Sequence, residues 1–380
     1  MGGGGISVDP VRGADHNQSM GMPVLWLYGP PGVGKTTVGW ELFNELPEPV
    51  GFVDIDQLGM CYAAATSHEW APEPASDPGR HLMKARNLDA VVANFVAAGA
   101  RCVVVPGVVD AARGALPLSN GTVVPCRLRA EPAELRRRLA ARRRPMDRVD
   151  ETLAYAAELD RLPGPCVDTT GLDVAEVVRL VCAHLPAPEP AAASWPPPVG
   201  GPGELLLLCG PTAVGTSTVG WRIYQELMRA GVRTAFADLR QIGFVRPSSD
   251  GNHGLKAANL AAMWQTYRER GARRMVVAGH VEEVAPYRAA LPEATVTVCR
   301  LRASPDELAS RIMARGRGEG ATWGLAGDEL TGKPAALLRD VPARAAAEAA
   351  ALDRSGIGDL CVDTDHRTVA DVAEEIRAGW

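Results

Sequence analysis

A chain of 380 residues, 46% hydrophobic and 22% charged, has room for two domains of ordinary size and the composition of a folded rather than a disordered protein. Its formal net charge of -5 excludes a broad cationic surface for nucleic acid or membrane. No apolar run is long enough to span a bilayer, and residues 1–20 lack the basic start and apolar core of a secretory signal, so a cytoplasmic protein is expected.

Residues 1–20 read as a flexible tail. The first strand signal is the apolar run VLWLY (24–28), which leads into Gly29-Pro30-Pro31-Gly32-Val33-Gly34-Lys35-Thr36-Thr37 and then a helix over Thr36–Leu46. The loop fits G-x-x-x-x-G-K-[ST] in the strand-to-helix context that this motif requires. Its glycines let backbone N–H groups wrap a phosphate chain, and the helix N-terminus adds partial positive charge. Lys35 would reach the outer phosphates, and Thr36 would offer its hydroxyl to Mg²⁺. The next strand, VGFVDI (50–55), brings Asp54 and Asp56 to its carboxyl end, where ligands sit in an open parallel sheet. One carboxylate suits magnesium or its water, and the other suits the proton of an acceptor hydroxyl. The alternative is a solvated turn with helix-capping carboxylates.

Asp77-Pro78 reads as the N-cap and first residue of a helix. In HLMKARN (81–87) the three-residue steps put His81, Lys84 and Asn87 near one face of that helix, either a substrate face or a structural, interdomain one. Helical stretches at Ala90–Ala98 and Ala133–Arg143 then alternate with strands RCVVVP, VVPCRL and PCVDT. Arg138 and Arg142 lie one turn apart, placed either to neutralise transferring phosphoryl charge or as a solvated basic face. Eight cysteines occur singly, without a C-x-x-C pair, which argues against a disulfide framework or a zinc site. Continuous apolar strands alternating with helices predict an α/β fold whose parallel sheet is covered by helices on both faces.

The whole pattern then repeats. GPPGVGKTTVGW (29–40) returns as GPTAVGTSTVGW (210–221), VDIDQLG (53–59) as ADLRQIG (237–243), and HLMKARN as HGLKAAN (253–259). CRLRAEPAEL (126–135) returns as CRLRASPDEL (299–308), and CVDTTGLDVAEV (166–177) as CVDTDHRTVADV (361–372). The constant order predicts a tandem duplication: a domain at 21–185, a Pro-rich linker at 186–203 and a second domain at 204–380. The second loop is degenerate, with Thr216 where Lys35 stands, and Arg240 replaces Asp56 while Asp238 preserves Asp54. Arg240 is therefore expected to supply part of the missing lysine's charge.

Together, the intact loop, the D-x-D after the second strand, the arginine helix and VDTT resemble the small P-loop kinases, a group that includes adenylate, shikimate and gluconate kinases, adenylylsulfate kinase and chloramphenicol phosphotransferase. The resemblance implies two tandem kinase-like P-loop NTPase domains, each with a five-stranded parallel core. It also implies ATP with Mg²⁺ at Gly29–Thr37, a lid near Arg138 and Arg142, and metal- and acceptor-binding roles for Asp54 and Asp56. The expected function is an ATP-dependent phosphotransferase on a small-molecule acceptor, with Lys35, Asp56, Arg138 and Arg142 catalytic and Thr36 and Asp54 on the metal. The second copy is expected to be a pseudokinase paired with the first. The rival expectation is a nucleotide-binding regulatory NTPase module that acts through a protein partner.

Overall fold

The computed structural model describes residues 21–61, 78–141, 146–185, 200–248, 250–319 and 325–380. The expected tail, most of the linker, the Asp77 cap and Arg142 lie outside the described residues.

In the N-terminal half, β1 (Pro23–Tyr28) leads through the glycine loop into α1 (Lys35–Glu45), followed by β2 (Val50–Phe52) and a 3-10 turn at Ile55–Gly59. Then come α2 (Pro78–Ala97), β3 (Cys102–Gly107), β4 (Thr122–Arg129), α3 (Pro132–Ala141), α4 (Met146–Leu159), β5 (Cys166–Asp168) and α5 (Val174–Cys182). The C-terminal half runs β6 (Gly203–Cys209), α6 (Thr216–Arg229), β7 (Thr234–Asp238), β8 (Phe244–Arg246), α7 (His253–Glu269) and β9 (Arg274–Ala278). It closes with α8 (Ala285–Ala290), β10 (Ala294–Arg302), α9 (Pro305–Gly316), α10 (Val341–Ser355), β11 (Leu360–Asp363) and α11 (Val369–Gly379). None of the described helices is long and apolar enough to cross a membrane.

The two sheets have the same strand order. It is β5-β4-β1-β3-β2 in the first half and β11-β10-β6-β9-β7 in the second, with every neighbour in these two runs parallel. The central strand of each is a run of buried apolar residues, as a sheet covered on both faces requires.

Two expectations change. The second strand ends at Phe52 rather than Ile55, because Asp54 caps the following 3-10 turn by accepting a hydrogen bond from the Asp56 amide. The first sheet is also not purely parallel, since β8 of the other half joins its edge antiparallel to β2, with Phe244 opposite Phe52 and Arg246 opposite Val50. The exchange is reciprocal: Cys61 bridges Ala235 of β7, and the Phe236 amide donates to the Met60 carbonyl at 2.8 Å. Each half thus covers an exposed edge of the other, removing unpaired backbone groups.

Side chains reinforce this pairing. Trp40, Phe43 and Phe52 form an aromatic cluster that Phe244 completes, its ring 4.9 Å from Trp40 and 5.8 Å from Phe52. Arg246 donates to the carbonyls at the end of α1, Phe43 and Leu46, at 2.8 Å each. Helices α2 and α7 pack against one another. Between them the buried Asn94 amide donates to Asn259 Oδ1 at 2.8 Å. One continuous core holds Val24, Trp26 and Phe95 from the first half together with Leu205, Trp264 and Tyr267 from the second.

Candidate functional site

At the carboxyl end of β1 the chain must reverse tightly into α1, and three glycines make that turn. A Cβ on Gly29 would lie 2.3 Å from the Leu128 carbonyl oxygen, so only glycine allows this approach of loop to sheet. Gly32 and Gly34 hold φ values of 87° and 104°, the left-handed region that other residues avoid. Gly34 is also the N-cap of α1, leaving the first amides of the helix directed at the loop's interior. Lys35 is only 9% exposed and its ammonium folds back onto the Pro30 carbonyl at 3.0 Å. Loop amides and a lysine thus border one small space, an arrangement suited to a chain of phosphates.

Beside the loop, a line of side chains runs away from the helix terminus. Thr36 Oγ1 donates to Asp54 Oδ2 at 3.2 Å. Asp54 Oδ1 accepts from the Asp56 amide at 2.9 Å, and Asp56 Oδ1 meets Lys84 Nζ at 2.5 Å. The lysine side chain is 1% exposed and that of Asp56 42% exposed, so the carboxylate has one oxygen anchored inward and a face open to an incoming molecule. Burial and the charge of Asp56 push the Asp54 carboxyl up to about 7. Burial acts upward on Asp56 as well, but Lys84, Lys35 and Arg80 outweigh it and hold its carboxyl below the usual range. Two carboxylates two residues apart therefore differ in character: Asp56 stays ionised, while Asp54 is easily protonated until a cation faces it.

The helix trio divides. Lys84 serves Asp56, and Asn87 donates to the Leu58 carbonyl at 2.6 Å, pinning the 3-10 turn that carries the carboxylates. His81 is half-buried, and burial together with the charge of Lys84 holds its imidazole below the usual histidine range. Gly59 in that turn is packed so closely that a Cβ would lie 2.5 Å from Lys84 Cε and 2.7 Å from its Cγ. Gly59→Ala must therefore displace a buried stem, and a loss of about 1–3 kcal/mol is expected in chemical denaturation. An unchanged midpoint would mean that the Lys84 stem is not fixed.

Arg138 is bound by its neighbours. Its guanidinium meets Glu134 at 2.7 Å, the Val33 carbonyl at 3.1 Å, Thr169 Oγ1 at 3.0 Å and the Thr169 carbonyl at 2.9 Å. It ties the phosphate-loop backbone to the loop after β5. Tyr155, absent from the sequence reading, lies on α4 and holds the chain after β3: its hydroxyl donates to the Val109 carbonyl at 2.6 Å and accepts from the Val109 amide at 3.2 Å. Only a tyrosine within a helical pattern marked it in the sequence, and nothing there indicated its partner.

The donors Thr36 and Asp54 are hydroxyl and carboxylate oxygens, the hard ligands that suit Mg²⁺, which needs few protein groups when phosphates complete its shell.

No protein-family model matches the chain, and no curated protein matches it. Among solved structures it is similar to the tunicamycin resistance protein of Deinococcus radiodurans, at 22% identity over 42% of this chain and 94% of that one, with a TM-score of 0.32. It is also similar to a gluconokinase from Sinorhizobium meliloti 1021, at 18% identity over 48% of this chain and 93% of that one, with a TM-score of 0.30. A third is the shikimate kinase of Aquifex aeolicus, at 14% identity over 46% of this chain and 94% of that one, with a TM-score of 0.25.

Proposed function

We propose that the chain is an ATP-dependent phosphotransferase acting on the hydroxyl of a small molecule, with its reaction centre at the first glycine loop. The proposal includes a tandem pair of kinase-like domains, at 21–185 and 204–380, of which the first is catalytic. The observation that supports it best is the unbroken series Lys35, Thr36, Asp54, Asp56 and Lys84. It joins a phosphate cradle, an oxygen pair for a cation and an ionised carboxylate with one open face.

On this reading, the amides of Gly29–Thr37 hold the phosphate chain and Lys35 moves from Pro30 onto its outer oxygens. Thr36 and Asp54 hold Mg²⁺, which supplies neutralising charge to the phosphates when bound. Asp56 orients the acceptor hydroxyl and takes its proton, while Lys84 keeps the carboxylate ionised and fixed in direction. Arg138 positions the loop through Val33 and Thr169 rather than touching the transferred group. His81 and Arg80 border the acceptor. Catalysis of this kind is mostly placement and charge neutralisation, so a short series of groups suffices.

The experiment is a search for phosphorylated products after incubating the protein with labelled ATP and a pool of hydroxylated metabolites. Asp56→Asn is expected to lower transfer by about 10²-fold with nucleotide affinity little changed. Transfer at the wild-type rate in this variant would remove Asp56 from the reaction.

A further inference from the structure

The second loop keeps the shape of the first without its composition. Gly215 holds φ at 106°, as Gly34 holds 104°, and Ala213 at the place of Gly32 is held at φ 68° despite its Cβ. An alanine there costs about 1 kcal/mol, so the loop is maintained by its surroundings. The flanking pair is preserved too: Ser217 Oγ donates to Asp238 Oδ2 at 2.6 Å, as Thr36 does to Asp54.

Two charged groups of the protein itself then sit on this site, Arg240 and Glu348. Arg240 does not take the position of the missing lysine. Its guanidinium lies on the neighbouring pair, at 2.9 Å from Ser217 Oγ and at 3.2 and 3.3 Å from the two oxygens of Asp238. Asp238 is 2% exposed, so this contact supplies the compensating charge that a buried carboxylate requires. On the loop, the Thr212 amide donates to Glu348 Oε2 of α10 at 2.7 Å. The matching residue of the first loop, Pro31, has no N–H to offer. Arg315, the counterpart of Arg142, is paired with Asp328 at 2.9 Å. The segment bearing Asp328 is itself fastened, because Gln241 donates to the Ala326 carbonyl at 3.0 Å and Ala326 is buried in the core of the first half.

We propose that the second loop is a self-liganded site. Arg240 stands where a divalent cation would meet Ser217 and Asp238, and Glu348 places a carboxylate on the loop in the way of a phosphate chain. The chain therefore holds one nucleotide, at the first loop. This inference rests on the reading of Gly29–Thr37 as a nucleotide site. The half whose loop lacks lysine needs no ligand to neutralise Asp238 and acts as a permanently closed partner of the first.

Two measurements on the full chain test this. Equilibrium titration with Mg-ADP is expected to give one site per chain, lost in Lys35→Ala. Two sites per chain, or a site that persists in Lys35→Ala, overturns the proposal. The second measurement is independent of nucleotide: Arg240→Ala should melt roughly 3 °C or more below the wild type and recover with millimolar Mn²⁺ by more than the wild type gains. Equal melting temperatures with equal Mn²⁺ responses would show that Arg240 replaces no cation. If the wild type binds no nucleotide while Arg240→Ala shows Mn²⁺ rescue, the reading of the first loop fails and the self-liganded second site stands.

Discussion

Lys35→Ala is expected to lower phosphoryl transfer by about 10³-fold while leaving the melting temperature near that of the parent protein. The lysine sets a positive charge against the loop's interior, where its ammonium donates to the Pro30 carbonyl. Removing it leaves the helix N-terminus and its amides in place. The loss should appear in both the rate and the nucleotide affinity, since the charge proposed to bridge outer phosphates would act on bound nucleotide as well as on the transition state. The assay is transfer from labelled ATP, with circular dichroism to confirm the fold. Turnover at the parent rate would assign the reaction elsewhere in the chain.

The site's legibility in the sequence follows contact distance along the chain. Lys35 and Thr36 belong to one contiguous loop whose glycine spacing encodes its geometry, so their placement at the start of α1 was legible in the sequence. Asp54 and Asp56 are local as well, though their strand ends three residues early, since Asp54 caps the turn while also facing Thr36. The union of Asp56 with Lys84, 28 residues away, could not be read from spacing. Helical periodicity grouped Lys84 with His81 and Asn87 but gave no direction for the face. The same limit applies to Arg138, whose basic helix suggested phosphate and whose guanidinium is held by Val33 and Thr169. Least legible was β8, three residues whose partners in β2 lie nearly two hundred positions earlier. The matching motifs of the two halves were plain in the sequence, but the strand exchange between the halves depends on long-range pairing that no local pattern encodes.

That exchange carries the last prediction: residues 1–185 produced alone are expected not to accumulate as a folded monomer, nor residues 204–380, whereas the two pieces expressed together should recover a soluble complex. Separation would divide a core that is shared between the halves and would strip Phe244 from Trp40 and Phe52. Each large apolar side chain returned to water costs about 1.5–3 kcal/mol, so exposing four or five of them rivals the 5–15 kcal/mol that holds an ordinary domain together. The edges of β2 and β7 would also lose their partners, leaving backbone groups open to association with other chains. Buried Asn259 would lose Asn94, and a polar group stranded without its bond in an apolar interface adds its own penalty. Size-exclusion chromatography and thermal melting of each piece, alone and co-expressed, decide the matter. A monomeric 1–185 fragment that melts cooperatively near the temperature of the full chain would show that the shared core contributes little. Failure of both fragments with rescue on co-expression would instead show that residues 204–380 are required for residues 1–185 to fold, so that the shared core and the exchanged strand edges hold the two halves as one folding unit.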